Sequence, residues 1–155
     1  MYYFKPLKIT TIIILPVLIS ACGVTGAPEC NDDSVTSLVK EITLNTIKDD
    51  YARYYSPYAG GMKYQALKEA VANGSDFLTE HLADVEKDAG EAQISLSGIR
   101  TQNQNHEIQK SECSCQLTIN RKNALTKQPS NVSASVSYTA QYADDGNIYV
   151  EVFGL

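Results

Sequence analysis

The spacing of apolar residues changes once along the body of this chain, at Gly90, and that change limits the folds open to it. Before Gly90, apolar side chains recur every three or four positions, which gathers them on one side of a helix. After it they alternate one by one with polar residues, which puts them on one face of a strand.

The helical part reads in three pieces. Asn31-Asp32-Asp33-Ser34 supplies candidate N-caps before Val35, Leu38, Val39, Ile42 and Ile47, which share a face of a helix running about 33 to 49. Lys40, Glu41 and Lys48 fall outside that face. Met62, Ala66, Leu67, Ala70 and Val71 mark a second helical stretch from about 61 to 73. Asn73-Gly74 interrupts it, and Ser75-Asp76 can cap a third piece bearing Phe77, Leu78, His81, Leu82 and Val85. The second and third pieces are either one kinked helix or two.

Four alternating segments follow. They centre on Ile94 and Leu96; on Cys113, Cys115, Leu117 and Ile119; on Val132, Ala134, Val136, Tyr138 and Ala140; and on Ile148, Val150 and Val152. Asp144-Asp145-Gly146-Asn147 reads as a hairpin turn, and Gln102 to Glu107, with His106, as an exposed hairpin tip. Helices followed by an antiparallel meander predict an α+β fold, with two or three N-terminal helices on one face of a four-stranded antiparallel sheet. Helix followed by four strands resembles the topology of cystatin-like and nuclear-transport-factor-like folds, on element order alone.

The first 21 residues are a separate matter. Lys5 and Lys8 precede an apolar run from Ile9 to Ile19, and the small residues Ser20 and Ala21 precede Cys22. This is the three-part layout of a secretory signal. The apolar part, about 11 residues, falls short of the ~20 that span a bilayer as a helix, and Pro16 interrupts it. The tetrad Ile19-Ser20-Ala21-Cys22 resembles the lipobox of bacterial lipoproteins, where the cysteine is acylated and becomes the N-terminus after cleavage. The resemblance implies a signal peptide over 1–21, lipidation (palmitate) at Cys22, a lipidated tether over 22–29 and a single domain over 30–155. Two or three acyl chains anchor stably where one does not. Gly23 stands where the family's inner-membrane retention signal is an Asp, which implies the outer membrane, with the domain facing the periplasm or the cell surface.

Lipidation of Cys22 would leave Cys30, Cys113 and Cys115 in an oxidising compartment, where a disulfide is expected. Cys113 and Cys115 point to the same face of one strand, a geometry that opposes bonding to each other. Cys30 therefore pairs with one of them, Cys113 being favoured and Cys115 a close rival. Cys-x-Cys lacks the Cys-x-x-Cys spacing of metal and redox sites, so neither a metal nor a cofactor is expected.

Chemistry-bearing motifs are sparse. No serine lies in a nucleophile elbow, and no phosphate loop or His-Glu-x-x-His occurs. His81 reads as a packed helix histidine, and Asp84, Glu86, Asp88 and Glu91 as a solvated helix end. Cleavage before Cys22 would remove Lys5 and Lys8 and no acid, so the formal charge of −5 becomes −7. That balance disfavours binding to nucleic acid. Tyrosine outnumbers phenylalanine ten to three, and Tyr51-Ala-Arg-Tyr-Tyr-Ser-Pro-Tyr58 concentrates it where Pro57 and Gly60-Gly61 predict a loop. Tyr54, Tyr55 and Tyr58 are the candidate partner surface, since tyrosine offers a large amphipathic contact at small entropy cost. The reading is a lipid-anchored, non-enzymatic envelope protein that binds another envelope protein, as an assembly factor, inhibitor or exclusion-type lipoprotein. The alternatives are a small-ligand or enzymatic domain with a pocket between sheet and helices, and a structural surface antigen.

Overall fold

The computed structural model describes residues 26–55 and 61–155. The signal segment, Cys22 and Tyr58 lie outside the described residues. Among the described residues, three helices pack with a four-stranded antiparallel sheet, an α+β architecture.

Helix α1 (Asp33–Tyr54) opens at Asp32, whose carboxylate accepts the Ser34 amide hydrogen at 2.8 Å. It runs past the expected end at 49 and takes in Tyr51 to Tyr54, which the sequence reading placed in a loop. The cause is spacing: Tyr51 and Ala52 fall four and five residues after Ile47, and all three are buried. Helix α2 (Tyr64–Ala72) begins with its first amide donating to Asp49 of α1 at 2.9 Å. A 3-10 turn, Asp76–Leu78, then leads into helix α3 (Thr79–Gly90). The second and third pieces are therefore separate. Gly74, at φ +91, supplies the left-handed conformation that turns the chain between them. Phe77, placed by periodicity on an apolar face, stands 74% exposed on that turn.

The sheet comprises β1 (Gln93–Asn105), β2 (Lys110–Lys122), β3 (Pro129–Tyr142) and β4 (Ile148–Phe153), side by side in chain order. β2 and β3 present apolar residues to the helices and polar ones to solvent, as does the first half of β1, whereas β4 buries Val150 but exposes Tyr149 and Phe153. The outer face carries side-chain bonds between neighbouring strands, such as Gln102 to Ser114 at 2.7 Å and Thr118 with Ser133 at 3.1 Å. β2 and β3 pair without interruption from Lys122 opposite Pro129 to Lys110 opposite Gln141. β1 is irregular, its register shifting between Ser97 and Arg100 and again between Thr101 and Asn103. Gly98, at φ +59, occupies the first shift, as a glycine bulge requires.

The core has two halves, and α1 belongs to both. Val35 and Val39 from its first half pack with Cys113, Cys115, Leu117, Val136, Tyr138 and Ala140 of the sheet. Ile47, Tyr51 and Ala52 from its second half pack with Leu67 of α2, Leu78, and Val85 and Ala89 of α3. His81, buried, donates from Nε2 to the Ala52 carbonyl at 3.0 Å and ties α3 to α1.

Candidate functional site

The residues ahead of α1 are held to the sheet by side chains from two strands. Cys30 is disulfide-bonded to Cys113, with Cα atoms 5.7 Å apart. Cross-strand from Cys113 stands Tyr138, whose hydroxyl donates to the Cys30 carbonyl at 2.7 Å. Burial, and secondarily the neighbouring Cys115, pushes that hydroxyl up to about 12, so it stays protonated and a donor. Ser111 donates through Oγ to the carbonyl of Pro28 at 2.5 Å, and Pro28 is itself fully buried. Pro28, inside the stretch read as tether, is thus part of the folded domain. Cys115 is a free, buried thiol whose pKa burial raises.

The tyrosines divide. Tyr54, in the last turn of α1, is 54% exposed. Tyr55 turns inward and stacks on Tyr51, ring centroids 4.6 Å apart. Its hydroxyl is enclosed with no hydrogen-bond partner at bonding distance among the described residues, and burial, with the Asp88 carboxylate beside it, raises its pKa.

Around these rings lies a polar latch that the sequence reading missed. Tyr51 donates to the Lys122 carbonyl at 2.8 Å, and Arg121 pairs with Asp50 at 2.9 Å. Lys122 pairs with Asp88, and with Glu91 at 3.1 Å. Lys127 lies 4.0 Å over the Tyr55 ring. Asp88 is therefore a buried ion-pair member and not part of a solvated helix end. Burial pushes its carboxyl up, but the bond from Lys122 and its charge outweigh that and hold it below the ordinary value. Charge sign along α3 hinted at nothing here, because the partner lies 34 residues away.

Beside the latch, an apolar groove of about 160 Å³ opens between α1 and the sheet. Thr43, Thr46 and Ile47 form its helical wall, Ile119, Val132 and Ala134 its strand wall, and Gly154 and Leu155 border it after β4. The threonine hydroxyls bond back to the helix, Thr43 to the Val39 carbonyl at 2.8 Å and Thr46 to that of Ile42 at 3.1 Å, which leaves the site little polar character. Asp50 continues the helical wall, and Tyr54, four residues on, continues the same stripe. A wide polar depression of about 460 Å³, lined in part by Gln93, Asn120 and Asn131, lies at the same end of the sheet.

The groove borders an unfinished strand ladder. β4 pairs with β3 only from Ser137 to Tyr142. Between Pro129 and Ala134, β3 has β2 on one side and, among the described residues, no strand on the other, while Gly154 lies against the Ser135 carbonyl. Alternate N–H and C=O groups there face outward.

No protein-family model, no curated protein and no solved structure matches the chain.

Proposed function

We propose that this is a lipid-anchored outer-membrane protein whose domain is a non-enzymatic binding module for another envelope protein. The observation that carries the reading is the short distance between the Ile19–Cys22 lipobox and Pro28, the buried residue held by Ser111. Gly23 to Ala27 can span at most about 17 Å when fully extended. A lipid on Cys22 would therefore hold the sheet close above the bilayer, with the Cys30–Cys113 end nearest it.

Binding through a surface is better supported than a small-ligand pocket. Ligand pockets run to about 300–1,000 Å³ and are mostly apolar; the groove between helix and sheet holds about 160 Å³, and the depression of about 460 Å³ is wide and lined mainly by polar side chains. The groove has room for roughly five waters at about 30 Å³ each, or for one or two apolar side chains. Tyr54 extends the surface along α1, and we place it, with Tyr58, among the partner-facing residues.

The test is fractionation with metabolic labelling by an alkyne fatty acid. The wild-type chain is expected to label and to remain in the outer-membrane fraction, and Cys22→Ser to lose both. A Cys22→Ser chain that still sediments with the membrane sinks the anchoring. Binding is tested apart from it: unchanged function of a folded Tyr54→Ala/Tyr58→Ala double variant removes those tyrosines from the partner surface.

A further inference from the structure

We infer that the β1–β2 hairpin tip, from Asn105 to Gln109, is a second contact with the bilayer, which seats Ile108 among the headgroups and fixes how the domain faces the membrane. The inference rests on the lipid-anchor reading, and the partner it names is a phospholipid leaflet.

The path of the chain ahead of α1 points to the tip. Cys30 is bonded to Cys113, the Pro28 carbonyl accepts from Ser111, and the Ala27 carbonyl accepts from Gln104 Nε2 at 3.5 Å. A carbon placed on Gly26 would lie 3.7 Å from Nδ1 of His106. Gln104 and Ser111 face each other across β1 and β2, one pair short of the tip. Each step back from Cys30 therefore brings the chain nearer the tip, and it leaves the domain beside His106. From Gly26 back to Cys22 the chain spans at most about 14 Å. The polar zone of a bilayer is about 5–8 Å deep on each side of the hydrocarbon. Acyl chains on Cys22 would hold the tip at or just above that zone.

The tip is held in one shape and carries apolar surface. Asn105 Oδ1 accepts the amide hydrogens of Glu107 at 3.0 Å and Ile108 at 3.3 Å. Ile108 is 52% exposed. The β3–β4 turn stands alongside, because the Tyr142 amide donates to the Gln109 carbonyl at 3.2 Å. On β4, Tyr149 pairs with Gln141, itself opposite Lys110, and is 61% exposed. Tyrosine favours the headgroup level, where its ring meets acyl chain and its hydroxyl meets water.

Charge narrows the lipid. Glu107, Asp144 and Asp145 outnumber Lys110 at this end, which suits ammonium-bearing ethanolamine headgroups and opposes a strongly anionic leaflet. One isoleucine would not hold a free domain on a membrane. Beside a lipid anchor the contact is intramolecular, and a weak one is enough to set orientation.

The chain has no tryptophan, so Ile108→Trp and Leu125→Trp each install a single reporter. Leu125 is 73% exposed in the β2–β3 connection, at the far end of the sheet. Both full lipidated chains are reconstituted in phosphatidylethanolamine vesicles with a minor share of phosphatidylglycerol, with and without brominated acyl chains. Ile108→Trp is expected to emit about 10 nm to the blue of Leu125→Trp and to lose about half its emission to bromine, while Leu125→Trp loses little. Tryptophan itself prefers the interface, so the unsubstituted chain is tested too, by NMR in nanodiscs with spin-labelled headgroups. Amide signals from His106 to Gln109 should be attenuated most and those around Leu125 least. Equal quenching at the two positions, water-like emission at both, or attenuation centred away from the tip overturns the inference. Raising the phosphatidylglycerol share should weaken quenching of Ile108→Trp; stronger quenching overturns the choice of headgroup. Flotation of the same vesicles separates the two readings. A chain that does not float loses the anchor and the tip contact with it, whereas one that floats with both tryptophans in water loses the tip contact alone.

Discussion

Tyr138 donates its hydroxyl hydrogen to the carbonyl of Cys30, while the side chain of Cys30 is bonded to Cys113, the residue paired with Tyr138 across the sheet. One residue ahead of α1 is thus held through its main chain by β3 and through its side chain by β2. Tyr138→Phe removes the donor and leaves a buried carbonyl unsatisfied. The expected loss is about 1–3 kcal/mol in urea unfolding, against about 4 kcal/mol for Cys30→Ser/Cys113→Ser, which reopens a loop of 83 residues. A Tyr138→Phe variant as stable as wild type would show that the hydroxyl contributes nothing.

The cysteine arrangement predicts a thiol count. In the folded state without reductant, Cys115 should resist maleimide, because burial both shields it and raises its pKa. Denaturation without reductant should expose one reactive thiol if Cys22 is acylated and two if it is not. Mass spectrometry of the labelled chain reads this directly.

Tyr51 and Tyr55 stack on each other, yet their hydroxyls should contribute unequally. Tyr51→Phe loses the bond to the Lys122 carbonyl and is expected to cost about 1 kcal/mol. Tyr55→Phe removes an enclosed hydroxyl that no described residue meets at hydrogen-bond distance, so it should cost less than Tyr51→Phe. Thermal melts of the two variants decide it, and a larger loss in Tyr55→Phe would contradict the arrangement.

Asp88 makes stability depend on acid. Its carboxyl titrates lower in the folded chain than in the unfolded one, so the unfolded chain binds the proton more readily. The contribution of the pair with Lys122 is complete above the unfolded carboxyl value, near about 3.9, and is lost as pH falls through the folded value. Asp88→Asn should be less stable than wild type at neutral pH and should lose less further stability on acidification. Urea midpoints at pH 7 and pH 3 measure both.

Much of the secondary structure was legible in the residues. Alternation at Val132 to Ala140 and at Cys113 to Ile119 marked strands with one inward face, because side-chain direction in a strand follows from position alone. The end of α1 was misjudged because Pro57 and the glycines suggested a loop from Tyr51 on, while burial of Tyr51 against α2 and α3 carried the helix further. Phe77 went astray likewise: its spacing fitted the third helix, but that helix begins two residues later.

The sequence by itself determined the class of fold, the inward face of each strand, and that Cys30 must bond to one of two cysteines on a single face. Tertiary structure decided which cysteine, because the choice depends on where the start of α1 crosses β2, and no local pattern encodes that crossing. It also decided that Asp88 is buried against Lys122, and that Tyr55 faces inward while Tyr54 faces out. The open edge of β3 is likewise tertiary. Its alternation reads the same from Val132 to Ala140, and among the described residues β4 pairs with it only from Ser137 to Tyr142. Periodicity records which way a side chain points; register and crossing determine what it meets.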